Sequence, residues 1–327
     1  MAGQSFAITG IDRVSFAAAD IEQACRYASD WGLQPVASGD GAFLFCTVDG
    51  CEVEFFAPDA ANPRRTAVGD ESGICEVVWG VADAAQVAAI QAELARDRAA
   101  DFGPDGVLRS RDDLGIGIAF RVSARSHEPF APSCYNQPGQ PTRIDQRAVR
   151  YDRARPHEIS HLAIGVDDAG EAHRFYTERL GFRISDRYAD RGIFMRASAE
   201  GNHHHLFLMN ARLPGTRFNH LAFKVRDIHE VIAGGQYFDS RGWNTFAGPG
   251  RHVVSSANFW YFQTPFGGSW EYAADEDMVT EDWQAQDFAA ESHIFSEWTF
   301  GLEKSDGTLK GPISHSAKRA LDPDVPV

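Results

Sequence analysis

The feature that most restricts how this chain can fold is a unit that recurs four times: a short apolar strand, a helix, and then several short strands. In the first copy, Ile11-Asp12-Arg13-Val14-Ser15-Phe16 leads to Asp20 and a helix carrying Tyr27 that stops at Trp31-Gly32-Leu33. In the third, Ile159-Ser160-His161-Leu162-Ala163-Ile164 leads to Asp167 and Asp168, a helix with Tyr176 and a stop at Leu180-Gly181-Phe182. Aspartate before the helix accepts from orphan backbone amides, and glycine after it takes the left-handed closing conformation. Cys75–Asp83 and Asn219–Asp227 begin the second and fourth copies, and alternating segments such as Gly41–Thr47, Cys51–Phe56, Phe194–Ala197 and His205–Met209 read as strands. A repeat of this kind predicts an α+β protein of four βαβββ modules, two per domain.

At 327 residues the chain is long enough for about two domains. Prolines 129, 132, 138, 141 and 156 interrupt an aperiodic polar stretch, so residues 1–124 are expected to hold the first pair of modules, 125–156 the linker, 157–275 the second pair and 276–327 a tail. A net charge of −15 repels nucleic acid and anionic lipid, and no apolar run approaches the roughly 18 residues a membrane helix needs, so neither is an expected partner. The start of the chain lacks the pattern of a secretory signal, and its five cysteines, odd in number and without a C-x-x-C pair, read as reduced thiols. Both point to a cytoplasmic protein.

The chemistry is concentrated in two strands. His161-Leu-Ala-Ile-Gly-Val166 and His220-Leu-Ala-Phe-Lys-Val225 share one pattern, in which each histidine lies on the face opposite its bulky neighbours and beside an alanine that leaves room. Paired by approximate twofold symmetry, the two imidazoles meet in one cavity. Glu271, alternating with Trp270 and Tyr272, supplies a carboxylate on an inner strand face, where it is costly unless a cation compensates it. Two histidines and one carboxylate suit non-haem ferrous iron, although zinc takes the same ligands. The corresponding first-half positions are Arg13 and Glu76, so a metal site is expected only in the C-terminal domain.

Gly250-Arg251-His252, seven residues, Trp260-Tyr261-Phe262-Gln263-Thr264-Pro265-Phe266-Gly267 and then Glu271 follow a known signature nearly throughout. With the two histidine strands, they make the chain resemble the two-domain (type I) extradiol ring-cleavage dioxygenases of the vicinal oxygen chelate superfamily, which have a glyoxalase-like fold. The resemblance covers about residues 7–274, and one departure is Trp260, where an aliphatic residue or phenylalanine is usual. It implies that His161, His220 and Glu271 hold Fe(II), with Mn(II) the other candidate. It further implies that His205 is the acid-base histidine, that His252 and Tyr261 contact the catechol oxygens, and that O2 is the co-substrate for cleaving a catecholic ring. Homo-oligomers are common in that family. His205 ends the run His203-His204-His205; alternation allows His203 or His205 into the pocket with His204 opposite, and the family spacing to His220 selects His205.

Two other readings share the architecture: another metal-dependent member of the superfamily, either a glyoxalase-like isomerase or a keto-acid dioxygenase, and a non-catalytic aromatic-binding protein. Asp112 and Asp113 beside Gly115 read as a solvated turn, the alanine-rich Ala84–Ala95 helix as a packed surface helix, and His293 as a surface residue. Phe207, Phe246, Phe259, Trp260 and Phe262 are candidates for either a substrate pocket or an ordinary aromatic core. The stretch from Ser305 reads as a mobile tail or a strap on a neighbouring subunit.

Overall fold

The computed structural model describes residues 6–300 apart from 38, 40, 70, 127–132, 212–213 and 290–293, together with backbone at 302–303 and 309–310. Position 293 and most of the chain beyond Ser305 therefore lie outside the described residues. The first half runs β1 (Ile8–Ala17), α1 (Ile21–Trp31), β2 (Gln34–Val36), β3 (Phe43–Cys46), β4 (Glu52–Phe56), then β5 (Gly73–Val81), α2 (Ala84–Leu94), β6 (Asp101–Phe102), β7 (Leu108–Arg111) and β8 (Gly117–Val122). The second half repeats it with β9 (Glu158–Val166), α3 (Ala169–Arg174), β10 (Arg183–Tyr188), β11 (Gly192–Arg196), the short β12 (Gly201–Asn202) and β13 (Leu206–Asn210). Then follow β14 (Arg217–Lys224), α4 (Ile228–Ser240), β15 (Thr245–Arg251), β16 (Asn258–Gln263) and β17 (Ser269–Ala274), and, on the far side of the repeat, β18 (Met278–Val279), β19 (Asp287–Phe288) and β20 (Trp298–Thr299).

One pairing rule builds the two large sheets. The opening strand of each module lies parallel to its own closing strand, as in β1 with β4 and β9 with β13, and the two opening strands of a half pair antiparallel, as in β1 with β5 and β9 with β14. The result is an eight-stranded and a ten-stranded sheet, each made of two βαβββ modules, as the repeat predicts. Among the described residues, the four α-helices start on an aspartate, Asp20, Asp83, Asp168 and Asp227, whose side chain accepts from amides of the first turn. In α1 the buried residues Ala24, Tyr27, Ala28 and Trp31 fall on one helical face. Val87, Ile90 and Leu94 do the same on α2.

A single aromatic core joins the halves. The Trp31 indole stacks on Tyr272 with ring centroids 3.7 Å apart, and the Tyr272 hydroxyl donates to the Trp31 carbonyl at 2.8 Å. Gly32 ends α1 with φ 105°, and any β-carbon there would strike the Ala154 carbonyl, so this glycine serves both the turn and the contact of α1 with the segment between the halves. Asp112 is not the solvated residue expected from its turn: it is buried, accepts from the amides of Leu114 and Ile116, and receives the Tyr176 hydroxyl of the other half at 2.6 Å. Only its neighbour Asp113 is exposed. The chain beyond β17 folds back on the second sheet. β19 pairs with β10 and β20 with β15, so the chain passes from one edge of the sheet to the other and covers two otherwise unpaired borders.

Candidate metal centre

Strand register brings the predicted ligands together. His161 lies opposite Ala222, and His220 opposite Ala163, so each imidazole faces the alanine of the other strand and the two rings share one side of the sheet. β17 continues the row: Glu271 pairs with Ala222 on one side and with Tyr261 of β16 on the other. Leu162, Ile164 and Leu221 turn to the opposite face and enter the core. His161 Nε2 and His220 Nε2 are 3.1 Å apart, and Glu271 Oε2 is 3.3 Å and 3.5 Å from them. These are separations expected of neighbouring ligands about 2.1 Å from a shared ion.

The Glu271 carboxylate has no exposed surface, yet neither oxygen receives a well-aligned hydrogen bond. Burial works to raise its pKa, but His161 and His252 outweigh burial and hold the carboxyl well below the usual range. Burial pushes His220 down to about 3, leaving a neutral imidazole with a lone pair to offer. A buried, ionised carboxylate facing two imidazole nitrogens and lacking a donor fits a divalent cation. His161, His204 and Glu276 form a second group of close ligand atoms. That group is looser, with His161 Nδ1 3.9 Å from Glu276 Oε1, and Glu276 Oε2 already accepts the Ser160 hydroxyl at 2.6 Å. The first group is the better cation site.

Around it lies a cavity of about 60 Å³. Its flat wall is the Phe194–Phe207 pair, stacked at 4.0 Å, which belongs to the same cross-strand row as Ala163 and His220. Tyr188, Val254 and Phe295 close the remainder, and among the described residues no arginine or lysine lines it. His252 and Tyr261 are both in the lining. His252 Nδ1 donates to the Phe295 carbonyl at 2.8 Å, so its Nε2 carries the lone pair and accepts from the Tyr261 hydroxyl at 2.9 Å. Burial, with Glu271 adding to it, raises the Tyr261 phenol well above its ordinary value and keeps it a donor.

His205 is not in this cavity; His204 is. The reason is local. β13 begins only at Leu206, and the chain bends through residues 203–205, so the two-residue alternation that assigns His203 and His205 to one face does not extend there. His205 Nδ1 instead accepts the Ala197 amide at 3.1 Å, and its ring lies near Gly10 of the first half. The His204 ring packs on His161 with centroids 4.0 Å apart, and its Nδ1 is 3.2 Å from Glu276 Oε1. Glu276 is a second residue the sequence does not announce, because a carboxylate in the run Asp275-Glu276-Asp277 after a strand reads as an ordinary solvated loop.

The other aromatic candidates divide by face. Phe207 lines the cavity and Phe259 stacks on His252, whereas Phe246 is about half exposed and Phe262 lies in the core. Trp260 does not reshape the pocket wall; it points to the core and packs directly over Gly235 of α4. At the equivalent place in the first sheet, Arg13 sits 3.6–3.7 Å from Glu54 and Glu76, and Arg109 binds Glu76 at 3.0 Å. The position corresponding to Glu271 is there Ala119, opposite Val78.

Residues 158–272, the span that carries all three predicted ligands, match the model of the glyoxalase, bleomycin resistance protein and dioxygenase superfamily. The match is confined to this module pair. The chain is also 28% identical over 309 residues to metapyrocatechase 2 of Cupriavidus necator, covering 89% of each protein. Among solved structures, the Mn(II)-bound glyoxalase of Novosphingobium aromaticivorans superposes with a TM-score of 0.72 at 20% identity, covering 98% of this chain and 97% of that one. Homoprotocatechuate 2,3-dioxygenase of Arthrobacter globiformis gives 0.69 at 16% identity, covering 96% and 98%. At those identities the structures establish a shared fold, and that fold carries both a glyoxalase and a dioxygenase.

Proposed function

We propose that this protein is an extradiol ring-cleavage dioxygenase that uses Fe(II), held by His161, His220 and Glu271, to open a neutral single-ring catechol with both atoms of O2. The observation that carries the reading is the buried Glu271 carboxylate, without a donor of its own, set against His161 and His220 of a cavity that is also lined by two further imidazoles and the phenols of Tyr188 and Tyr261. The relationship to metapyrocatechase 2 over most of both chains supports it.

When bound, the metal supplies a Lewis acid with adjacent open positions at which a diol and dioxygen can be held side by side. The protein does the remainder. His161 and His220 present lone pairs and Glu271 a negative charge from three neighbouring strands, a rigid frame that fixes which side of the cavity the diol occupies. The stacked Phe194–Phe207 pair offers a flat wall to an aromatic ring. His204, whose pKa burial drives well below the ordinary histidine value, is a neutral acceptor for a proton leaving a hydroxyl of the diol. Tyr261, kept protonated, can turn its hydroxyl from His252 Nε2 and donate toward the oxygen where negative charge develops.

The cavity bounds the substrate. Its 60 Å³ corresponds to about four to six waters, enough for one dihydroxylated ring with a small substituent, so a second linked or fused ring would have to extend beyond it. Among the described residues no arginine or lysine lines the cavity, which leaves a carboxylate substituent uncompensated. The test is oxygen uptake by the anaerobically Fe(II)-loaded protein with catechol, methylcatechols, dihydroxybiphenyl and a carboxylated catechol. The expected result is uptake with the first two, a coloured ring-opened product, and a kcat/KM at least ten-fold lower for the others. A panel with no oxygen uptake would overturn the reading in favour of an isomerase, which consumes none.

A further inference from the structure

His204 does not stand alone. Behind it, turned away from the cavity, is a second buried imidazole and a buried carboxylate in series. His203 Nδ1 is 3.1 Å from His204 Nδ1, and His203 Nε2 is 2.8 Å from Asp186 Oδ2. His203 has no exposed surface and Asp186 is nearly as buried; the His203 ring lies edge-on to Trp283 and Phe194. The other Asp186 oxygen accepts the Gln286 amide at 2.7 Å, which fixes the carboxylate in place.

With both imidazoles neutral and Asp186 ionised, hydrogen-bond logic allows one arrangement of protons along this line. An ionised carboxylate only accepts, so His203 must carry its proton on Nε2 to satisfy Asp186. Its Nδ1 is then a bare lone pair and can only accept. His204 Nδ1, the atom facing it, must therefore be the donor, and Glu276 Oε1 at 3.2 Å from that same nitrogen is a second acceptor with the same demand. With Nδ1 protonated, the lone pair of neutral His204 is on Nε2, which has no protein partner among the described residues.

We propose that Asp186 and His203 are positioning residues that lock His204 in its Nδ1–H form, so that Nε2 is always the acceptor offered to the substrate hydroxyl. This rests on the dioxygenase reading for its use, but the locked form is a property of the protein alone. Asp186→Asn reverses the line. The asparagine oxygen keeps the Gln286 amide, its NH2 group points at His203, and His203 must then carry its proton on Nδ1 and aim it at His204. His204 is left to move its own proton to Nε2, which turns the cavity-facing acceptor into a donor.

The test uses the full-length, metal-free protein labelled with 15N-histidine, with His204 assigned by the signal lost in His204→Gln. Long-range 15N–1H spectra are expected to show His204 as the Nδ1–H form in the wild type and as the Nε2–H or a mixed form in Asp186→Asn. His203→Gln, which removes the intermediate ring and keeps a polar side chain, serves as the second variant should Asn perturb folding, and is expected to give a mixed form. In the Fe(II)-loaded enzyme both variants should hold one equivalent of iron with unchanged KM, while kcat falls at least ten-fold and its acid limb shifts. A wild-type His204 found with its proton on Nε2, or one unaffected by either variant, overturns the proposal. Inactivity of the wild type toward every catechol, with the expected tautomers present, would instead overturn the dioxygenase reading and leave the lock intact.

Discussion

Glu271 sets the energetics at the residue scale. A carboxylate with no exposure and no aligned donor costs several kcal/mol to bury, and a cation returns that cost when it binds. Fe(II) at a hundred-fold excess over its Kd should therefore stabilise the wild type by about 2.7 kcal/mol, read as a rise in Tm, while Glu271→Gln should show no comparable gain. An equal rise in both would remove Glu271 from the site. Its neighbours separate by function. His204→Phe should retain iron and lose about 10²- to 10⁴-fold in kcat, the usual range for removing a general base. His205→Gln, outside the cavity, should leave kcat and KM near wild type; a loss matching that of His204→Phe would return the role to His205.

At the scale of elements, the three proposed ligands are legible in the sequence because they stand in regular strands, where alternation tells which side chains share a face. His204 and Glu276 are not, because one lies in a bend before β13 and the other in the chain just beyond β17, and periodicity says nothing about either. Trp260 has a different lesson: the motif locates it beside Tyr261, but adjacent strand residues face opposite ways, so it packs over Gly235 while Tyr261 faces the metal site. Gly235→Ala places a β-carbon inside the Trp260 ring and should cost about 1–3 kcal/mol by overpacking. Because β16 carries both side chains, the same variant should raise KM, and adding Trp260→Phe should recover part of the stability. A Gly235→Ala protein as stable and active as wild type would refute the coupling of α4 to the site through β16.

On the scale of the whole molecule, the fourfold repeat and the two-sheet architecture are readable from recurring strand and helix signals, whereas the way the halves join is not. Their union depends on pairs far apart in sequence, such as Trp31 with Tyr272 and Asp112 with Tyr176. Burial raises Asp112 to about 6 against the hydrogen bonds it accepts from Tyr176, Ile116 and Leu114. The folded carboxyl thus holds its proton to a higher pH than the unfolded one, near 3.9, so its contribution to stability is complete below about pH 4 and is lost as pH rises through 6. Across that window the loss is on the order of 2–3 kcal/mol. Asp112→Asn should remove this slope, so that the stability difference between variant and wild type shifts in the variant's favour between pH 4 and pH 7; a constant difference over that range would contradict the assignment.

The most direct test of the account is the iron content of protein loaded anaerobically with Fe(II) and desalted, compared among wild type, His161→Ala, His220→Ala and Glu271→Ala. One iron per wild-type chain and almost none in each variant is the predicted result. Iron retained in full by the three variants, or a wild type that binds none, would contradict it.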